Sequence, residues 1–384
     1  MQPQVWSSAH SKSHAQSRAG TLLRIMEMST SPQRNSTLDA VKGFAIFLVV
    51  WGHCVAYMHP GSPPGSFLND SFLCAINSFY MPLFMAVSGY LFGSSVHRYS
   101  ASTLLGKRAQ ALLLPTIVWS ALAYIEPYLS HLLRHLPMTV RLTNILWFLT
   151  SLMVCTVVAL ACEKLAGGNI FVYIAVILLA LGLPDRFDLD YHKFMLPYFV
   201  GGLLLFRYSA QIPRVAYRLA WPLSFVLWSV MLAHWTADYY IYTTGMSLWV
   251  DHPMQKLWII GYRYLIGFAG ICWVVSVICY LRRHSKLTLL VWMGNFTLGI
   301  YAITAFFNPR LHRIPLPSFR SLPLWWAEMA LFAFLQCVAC IYAIKAMQHS
   351  QLLSLLLLGE PLKRQSVTKE APGALVPQAP AVKG

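Results

Sequence analysis

Charged residues are scarce in this sequence. Only 11% of its 384 residues are Asp, Glu, Lys or Arg, against roughly 25% in an average soluble domain. Acidic residues number just 13, while 57% of the chain is of hydrophobic type and the mean hydropathy is +0.55. This composition excludes a soluble globular enzyme, a disordered protein and a nucleic-acid-binding module. It predicts a chain that uses lipid as much of its solvent.

Several other signals are missing. Residues 1–33 are rich in Ser, Gln, His and basic residues but have no apolar run of the kind that marks a signal peptide, so we predict a disordered cytoplasmic arm. Cys337 and Cys340 are two of eight cysteines and have no second Cys or His pair at zinc spacing. We therefore predict inert buried thiols and no metal site. Residues 351–384 are expected to form a cytoplasmic tail that is mostly disordered.

Apolar runs separated by polar breaks fill the chain between these ends. At the ~20 residues that a membrane helix needs, they predict an all-α, polytopic membrane domain over residues 34–350 with about ten transmembrane helices. One further short or re-entrant helix would also fit. The expected segments lie near residues 40–57, 71–93, 110–130, 144–163, 169–184, 193–207, 217–237, 257–280, 287–307 and 322–346.

The basic residues predict the orientation of these helices. With the N-terminus in the cytoplasm, 19 Lys and Arg residues fall on the cytoplasmic side and 8 on the opposite side. Because cytoplasmic loops carry an excess of Lys and Arg, the count favours an N-in, C-in protein of the inner (plasma) membrane. The net charge of +16 is attributed to these loops and to contacts with membrane lipids, with no nucleic acid as a partner.

The first apolar segment carries three ionisable residues, Asp39, Lys42 and His53. A separation of eleven residues places Lys42 and His53 on one helix face, roughly 16 Å apart along the axis. Ionisable groups inside a membrane usually face an interior cavity. We therefore expect a polar track in which Lys42 meets an anionic group and His53 transfers a proton. The alternatives are an interfacial anchor pair for Asp39 and Lys42 and a capped helix end for His53.

The second segment contains a proline and a small-residue pair. Pro82 removes one backbone hydrogen bond and predicts a kink in the span, which membranes tolerate where a broken helix lines a cavity. Ser88 and Gly89 permit close contact with another helix. Among the other ionisable residues in apolar runs, we expect Arg263 to pair with a glutamate of a neighbouring helix, Glu126 or Glu328.

Two of these stretches together resemble a known family. The patterns are L-D-x-x-K-G-x-x-I-x-L-V-V-x-G-H at 38–53 and M-P-L-F-x-x-x-S-G-Y at 81–90. Further pieces follow in order, at 107–108 with 114–115, at 146–149, at 196–199 with Gly201, and at 298–301. Over residues 34–346 the chain resembles the acyltransferase family 3 integral membrane proteins. It looks most like the branch that includes sugar O-acetylases such as the fucose 4-O-acetylase of nodulation factors.

This resemblance implies transfer of an acyl group, commonly acetyl from acetyl-CoA, to a hydroxyl of a sugar or polysaccharide. His53 matches the essential histidine of the family, Arg108 matches a basic position, and Lys42 stands where many members have Arg. Lysine lacks the planar fork of arginine for bidentate phosphate contacts.

The chain departs from the family pattern at three positions. Tyr80 and Thr304 stand where many members have His, and Ala111 stands where many have a second Arg. These departures concern the donor site more than the role of His53.

The function predicted from the sequence is therefore a membrane O-acyltransferase. Its catalytic residues would be His53 as base, with Asp39 orienting Lys42, and its donor-binding residues Lys42, Lys107 and Arg108. Acetyl-CoA would be the donor and a sugar or polysaccharide the acceptor, with no permanently bound cofactor. Direct attack on the thioester and an acyl-His53 intermediate both remain open. A transporter or flippase for a glycan or lipid-linked precursor is the alternative, and an inactive membrane scaffold is a third.

Overall fold

The computed structural model describes residues 35–58, 68, 70–134, 146–186, 188–313 and 321–361. Every regular element in these ranges is helical. Three 3₁₀ turns, at Ser209–Gln211, Ala237–Tyr239 and Asn308–Arg313, join or extend the helices. The α-helices of the described residues are α1 Ser36–Tyr57, α2 Ser71–Asn77, α3 Tyr80–Val96, α4 Ala101–Arg134, α5 Trp147–Ala166, α6 Ile170–Leu181, α7 Leu189–Tyr208, α8 Arg214–Ala233, α9 Ile241–Thr244, α10 Pro253–His284, α11 Thr288–Gly294, α12 Thr297–Phe307, α13 Leu322–Met347 and α14 Gln351–Leu358.

All ten predicted segments are helical, but fewer of them are candidate membrane spans. Seven helical stretches of the described chain are long and apolar enough to cross a membrane, and α2 with α3 counts as one of them. A bent pair, Thr288–Gly294 with Thr297–Leu311, adds an eighth if it is a single span, and the second helix is bent by 72° from the direction of the first. Helix α6 has only 12 residues, and α7 is not among the candidates.

The number of membrane spans decides whether the two ends of the membrane domain lie on the same side. An odd number of crossings puts the two ends of the membrane domain on opposite sides, whereas an even number puts them on one side. Seven spans and eight spans therefore give different answers, and the N-in, C-in arrangement stays a prediction. The expected disorder of residues 1–33 lies outside the described residues, as does that of residues 362–384.

Helices α3 and α7 touch backbone to backbone through two glycines. A Cβ atom added to Gly89 would lie 1.9 Å from the carbonyl oxygen of Phe199. One added to Gly202 would lie 1.8 Å from the carbonyl oxygen of Ala86. The expected close contact at Gly89 is thus confirmed, and its partner is the glycine-containing face of α7.

Helices α1 and α11 repeat the same arrangement at the Lys42 end of α1. A Cβ on Gly43 would come within 1.8 Å of the Leu290 carbonyl oxygen, and one on Gly294 within 1.8 Å of the Asp39 carbonyl oxygen. Small residues let helix backbones approach closely in membranes. The first helix is therefore held against the short arm of the bent pair.

The break in the second span does not lie at its proline. Helix α2 ends at Asn77 and α3 begins at Tyr80, so the interruption falls at Ser78 and Phe79. Pro82 is the third residue of α3, and the carbonyl that its missing N–H leaves without a donor is that of Ser78, four residues earlier. The span is therefore interrupted one turn before Pro82, where a proline-induced kink is expected.

The C-terminal helix α14 packs on α4. The Trp119 indole N–H donates to the carbonyl of Leu357 at 3.0 Å. The chain then turns at Gly359, whose φ of 69° suits a residue without a Cβ. The first part of the predicted tail is therefore ordered against the bundle.

Candidate functional site

The site is built around His53, near the C-terminal end of α1. Its side chain is partly accessible and lines two cavities inside the bundle, one of about 320 Å³ and one of about 180 Å³. Tyr57, Tyr80 and Trp147 line both cavities as well. The imidazole therefore stands where the two cavities meet.

The larger cavity has an aromatic wall with polar tips. Its lining includes Asn77 and Ser78 at the break between α2 and α3, so the interrupted span does line a cavity. The indole N–H of Trp235, also in the wall, has no hydrogen-bond partner within the described chain. The aromatic members of this wall are Tyr57, Tyr80, Trp147, Tyr191, Phe194, Trp235, Tyr239, Tyr240 and Tyr242.

Residues 237–247, which we name the roof segment, cover this cavity and are tied down by Arg263 of α10. The guanidinium is only 2% exposed. Its Nη2 donates to the carbonyls of Asp238, at 2.8 Å, and Tyr240, at 2.7 Å, and its Nε donates to that of Tyr239 at 2.9 Å. A fourth bond joins Nη1 to the Gly245 carbonyl at 2.5 Å.

These bonds overturn the expectation that Arg263 pairs with a glutamate. Its partners within the described chain are backbone carbonyls, the hydroxyl of Thr244 and the sulfur of Met246. The side chain of Glu126 lies outside what the structure describes. The reason is geometric. A guanidinium has five N–H donors in a fixed plane, so one arginine can bond to several backbone carbonyls of a turn at once.

Asp185 fixes the other end of the roof segment. Its carboxylate accepts the backbone N–H groups of Met246 and Ser247, each at 2.6 Å, and pairs with Lys193 at 2.8 Å. Lys256 of α10 donates to the carbonyl of Thr244. The roof is therefore held by buried ionic groups rather than by apolar packing alone.

The smaller cavity is lined by Tyr301 of α12 and by Asn308, which begins the 3₁₀ turn that follows. Asn308 is 1% exposed, and its Oδ1 accepts from Gln336 Nε2 at 2.7 Å. Gln336 in turn accepts from the thiol of Cys54, the neighbour of His53, at 3.3 Å. These hydrogen bonds join Gln336 of α13 to Cys54 of α1 on one side and to Asn308 of the cavity lining on the other.

Lys42 and Asp39 form an ion pair at the other end of α1. Asp39 Oδ1 lies 2.7 Å from Lys42 Nζ, and the two side chains are 6% and 21% exposed. Both stand on the same continuous helix as His53, but neither lines either of the two cavities.

The three expected donor-binding residues lie on two helices, Lys42 on α1 and the other two on α4. Lys107 is exposed and lies over the ring of Tyr99, at 3.8 Å from its centre. Arg108 is half-buried on α4.

Two of the positions that depart from the family pattern have contrasting surroundings. Tyr80 lines both cavities beside His53. Thr304 is fully buried, and its hydroxyl donates to the Ile300 carbonyl at 2.8 Å, so it lines neither cavity.

Sequence reasoning missed several residues near the site. Asn308 follows an apolar run, so in the sequence it resembles an ordinary helix end. Tyr301 is the last residue of the family motif at 298–301, and this motif was the available signal for it.

A serine and a histidine also lie close together outside the two cavities. The hydroxyl of Ser151 lies 2.8 Å from His192 Nδ1, a pairing typical of nucleophiles. Ser151 is fully buried and lines neither cavity, so this contact is structural.

Comparison with known proteins adds the family. The family model described as "Acyltransferase domain" matches residues 35–347. The nodulation protein NolL of Sinorhizobium fredii is 43% identical over 89 residues, which is 23% of this chain and 24% of that protein. NolL of Mesorhizobium japonicum is 36% identical over 107 residues, 28% of each chain. The matched regions thus span about a quarter of these curated relatives, and no solved structure matches. Because the family model covers most of the sequence, this helical membrane protein belongs to the acyltransferase family whose domain spans residues 35–347.

Proposed function

We propose that the protein is a membrane O-acyltransferase that moves an acetyl group from acetyl-CoA to a hydroxyl of a sugar or cell-surface polysaccharide. The observation that carries this proposal is the position of His53 at the meeting point of two cavities. One cavity would receive the acceptor and the other the acyl group, with the imidazole between them.

The larger cavity supports a sugar acceptor. Its wall combines flat aromatic rings with hydroxyl, amide and indole tips, and such clefts bind organic ligands through apolar faces and a few placed polar groups. The unpartnered N–H of Trp235 is available to a sugar oxygen.

His53 would act as general base. As the acceptor oxygen bonds to the thioester carbon, its proton passes to the imidazole, and the carbonyl π pair moves onto the carbonyl oxygen. Collapse of this intermediate breaks the carbon–sulfur bond. The departing thiolate takes the proton from the imidazolium, which leaves an ester, free CoA and neutral His53.

The donor would be held by charge at the Asp39 end of α1. Lys42, with Lys107 and Arg108 on α4, would attract the CoA phosphates, and Asp39 would keep Lys42 in place. On this proposal the basic end faces the cytoplasm of an inner-membrane protein with both termini inside.

The test is acetyl transfer by the purified chain in nanodiscs. Release of the CoA thiol is followed with acetyl-CoA as donor and methyl fucoside or methyl glucoside as probe acceptors. We expect His53→Ala to lower kcat at least about 100-fold, the lower end for general-base catalysis. His97→Ala, at an exposed histidine, is the matched control and should behave as the wild type. Retention of most activity by His53→Ala would remove His53 from the mechanism.

A cellular experiment separates acyl transfer from transport. Mass spectrometry of surface glycans is compared between cells with and without the gene. Loss of acetyl groups from glycans that still reach the surface supports the transferase. Intact acetylation with glycan retained inside the cell would favour a flippase.

A further inference from the structure

Two buried hydrogen-bond donors in the smaller cavity have no partner. The hydroxyl of Tyr301 and the Nδ2 of Asn308 donate to no acceptor within the described chain, although their residues are only 7% and 1% exposed. Both line the cavity of about 180 Å³ that His53 also lines. An unpaired buried polar group costs about 1–3 kcal/mol, so two of them in one small cavity require an explanation.

The hydrogen-bond chain behind Asn308 determines which end of its amide is unpaired. The thiol of Cys54 donates to Gln336 Oε1, which leaves Gln336 Nε2 to donate to Asn308 Oδ1. The oxygen of Asn308 is thereby occupied, and its NH₂ group is the end left without an acceptor.

Tyr301 is fixed by packing in a similar way. Its ring meets Phe148 edge to face, with centroids 5.9 Å apart and planes at 77°. Phe148 lies in the first turn of α5. The backbone N–H of Phe148 is directed at the phenol oxygen, and the hydroxyl proton has no acceptor. With the ring held in this way, the phenol is a donor that needs no rearrangement before it acts.

We propose that Asn308 and Tyr301 are catalytic residues that hold the acyl carbonyl oxygen and stabilise the negative charge that develops on it. This inference rests on the proposed function, and it assigns the smaller cavity to the acyl group. Each water molecule needs ~10–15 Å³ of such space, so the cavity can accept a short acyl group such as acetyl.

The role follows from the electron balance of the transfer. When the acceptor oxygen bonds to the thioester carbon, the carbonyl oxygen gains the π pair and becomes an oxyanion. It then accepts from Asn308 Nδ2 and from the Tyr301 hydroxyl, while the acceptor's proton resides on His53. Donors already in position in a site with little water stabilise such charge without reorganising. Expulsion of the thiolate restores the carbonyl and releases both donors.

Tyr301→Phe is the sharpest test, because it removes only the hydroxyl and keeps the ring against Phe148. Removal of one oxyanion donor lowers kcat about 10²–10³-fold in enzymes, and we expect a loss in that range with the KM for acetyl-CoA nearly unchanged. Thermal stability should stay constant or rise, because an unpaired buried donor disappears. A merely structural tyrosine would show the opposite pattern.

Tyr198→Phe supplies the matched control. The Tyr198 hydroxyl is also buried but donates to the Arg263 carbonyl at 2.9 Å, and it lines neither cavity. This variant should lose stability and keep its kcat.

Asn308 is tested with two variants. Asn308→Ala removes the donor and also unpairs Gln336, so a loss of stability is expected with it. Asn308→Asp keeps the oxygen that accepts from Gln336 and removes the NH₂ group. Asn308→Ala should lower kcat by a factor similar to that of Tyr301→Phe. Asn308→Asp should lower it at least as much, because an ionised carboxylate also repels the oxyanion, and its retained fold would show that the loss is not due to unfolding.

The outcomes separate the two proposals. An inactive wild type with every probe acceptor would count against the proposed function itself. An active wild type whose Tyr301→Phe and Asn308→Asp variants keep kcat within threefold would refute the oxyanion site and leave a water-filled cavity, while His53 would be unaffected.

Discussion

Replacement of either glycine between α3 and α7 by alanine should destabilise the bundle. Real Cβ atoms essentially never approach another atom more closely than 3.0 Å, and the added methyl groups would lie 1.9 Å and 1.8 Å from backbone oxygens at Gly89 and Gly202. Relief therefore demands that the helices separate by about 1 Å or more. The obstructing atoms belong to the main chain, so no side-chain rotation can avoid the clash.

The expected cost can be set against the gain from alanine. Overpacking typically costs about 1–3 kcal/mol, and more where nothing can yield. Alanine favours a helix over glycine by about 1 kcal/mol. We expect a net loss of about 2 kcal/mol in the free energy of unfolding for Gly89→Ala and for Gly202→Ala. Because one separation of the helices relieves both clashes, the double variant should lose less than the sum.

Gly261→Ala is the matched control. Gly261 lies in α10 and a Cβ there would meet nothing within 4 Å, so alanine should stabilise the protein by about 0.5–1 kcal/mol. Thermal unfolding can be followed with a thiol-reactive fluorophore, because six of the eight cysteines are buried. The exposed Cys272 is replaced by Ser in every variant to lower the background.

The melting temperature should fall by about 3 °C for each α3–α7 variant and should not fall for Gly261→Ala. Activity should fall with stability, because Met81 of α3 and Met195 of α7 both line the larger cavity. Variants at Gly89 and Gly202 that melt within a degree of the wild type would refute the backbone contact.

The remaining predictions concern the roof segment and the donor end of α1. Arg263→Lys can satisfy only some of the carbonyls that the guanidinium holds, and loss of a hydrogen bond to a charged group is worth about 1.5–3 kcal/mol. We expect at least a tenfold rise in the KM for the sugar acceptor, with acetyl-CoA affinity unchanged; an unchanged acceptor KM would mean that the roof does not position the acceptor. Lys42→Gln should raise the KM for acetyl-CoA about tenfold at low salt, and Lys42→Arg should retain the wild-type value. Equal KM values for all three proteins across a salt series would exclude a donor-binding role for Lys42.

Hydrophobicity predicted where the helices are but not how many of them cross the membrane. All ten expected segments are helical, because long apolar runs leave the backbone little alternative in lipid. A helix buried among other helices and one exposed to lipid have the same apolar composition. Composition therefore did not distinguish the 12-residue α6, or the bent α11–α12 pair, from full spans.

The site was predictable where it depends on spacing within one helix. The eleven-residue separation predicted that Lys42 and His53 share one helix, which is α1. Asp39 and Lys42 are three residues apart, and in the structure they form an ion pair. Contacts between distant segments left no such pattern. Arg263 binds backbone carbonyls, which have no sequence signature, and Asn308 meets Gln336 across 28 residues.

The two ends of the proposed reaction are connected through the bent pair. Gly294 holds the end of α11 against the Asp39 carbonyl, beside the ion pair with Lys42. Three residues later, at Thr297, α12 begins, and it carries Tyr301 to the wall of the smaller cavity. Lys42 lies some 16 Å from His53 along α1 and lines neither cavity. On the proposed function, the bent pair therefore contacts α1 at the donor end and carries Tyr301 at the end where the acyl group is transferred.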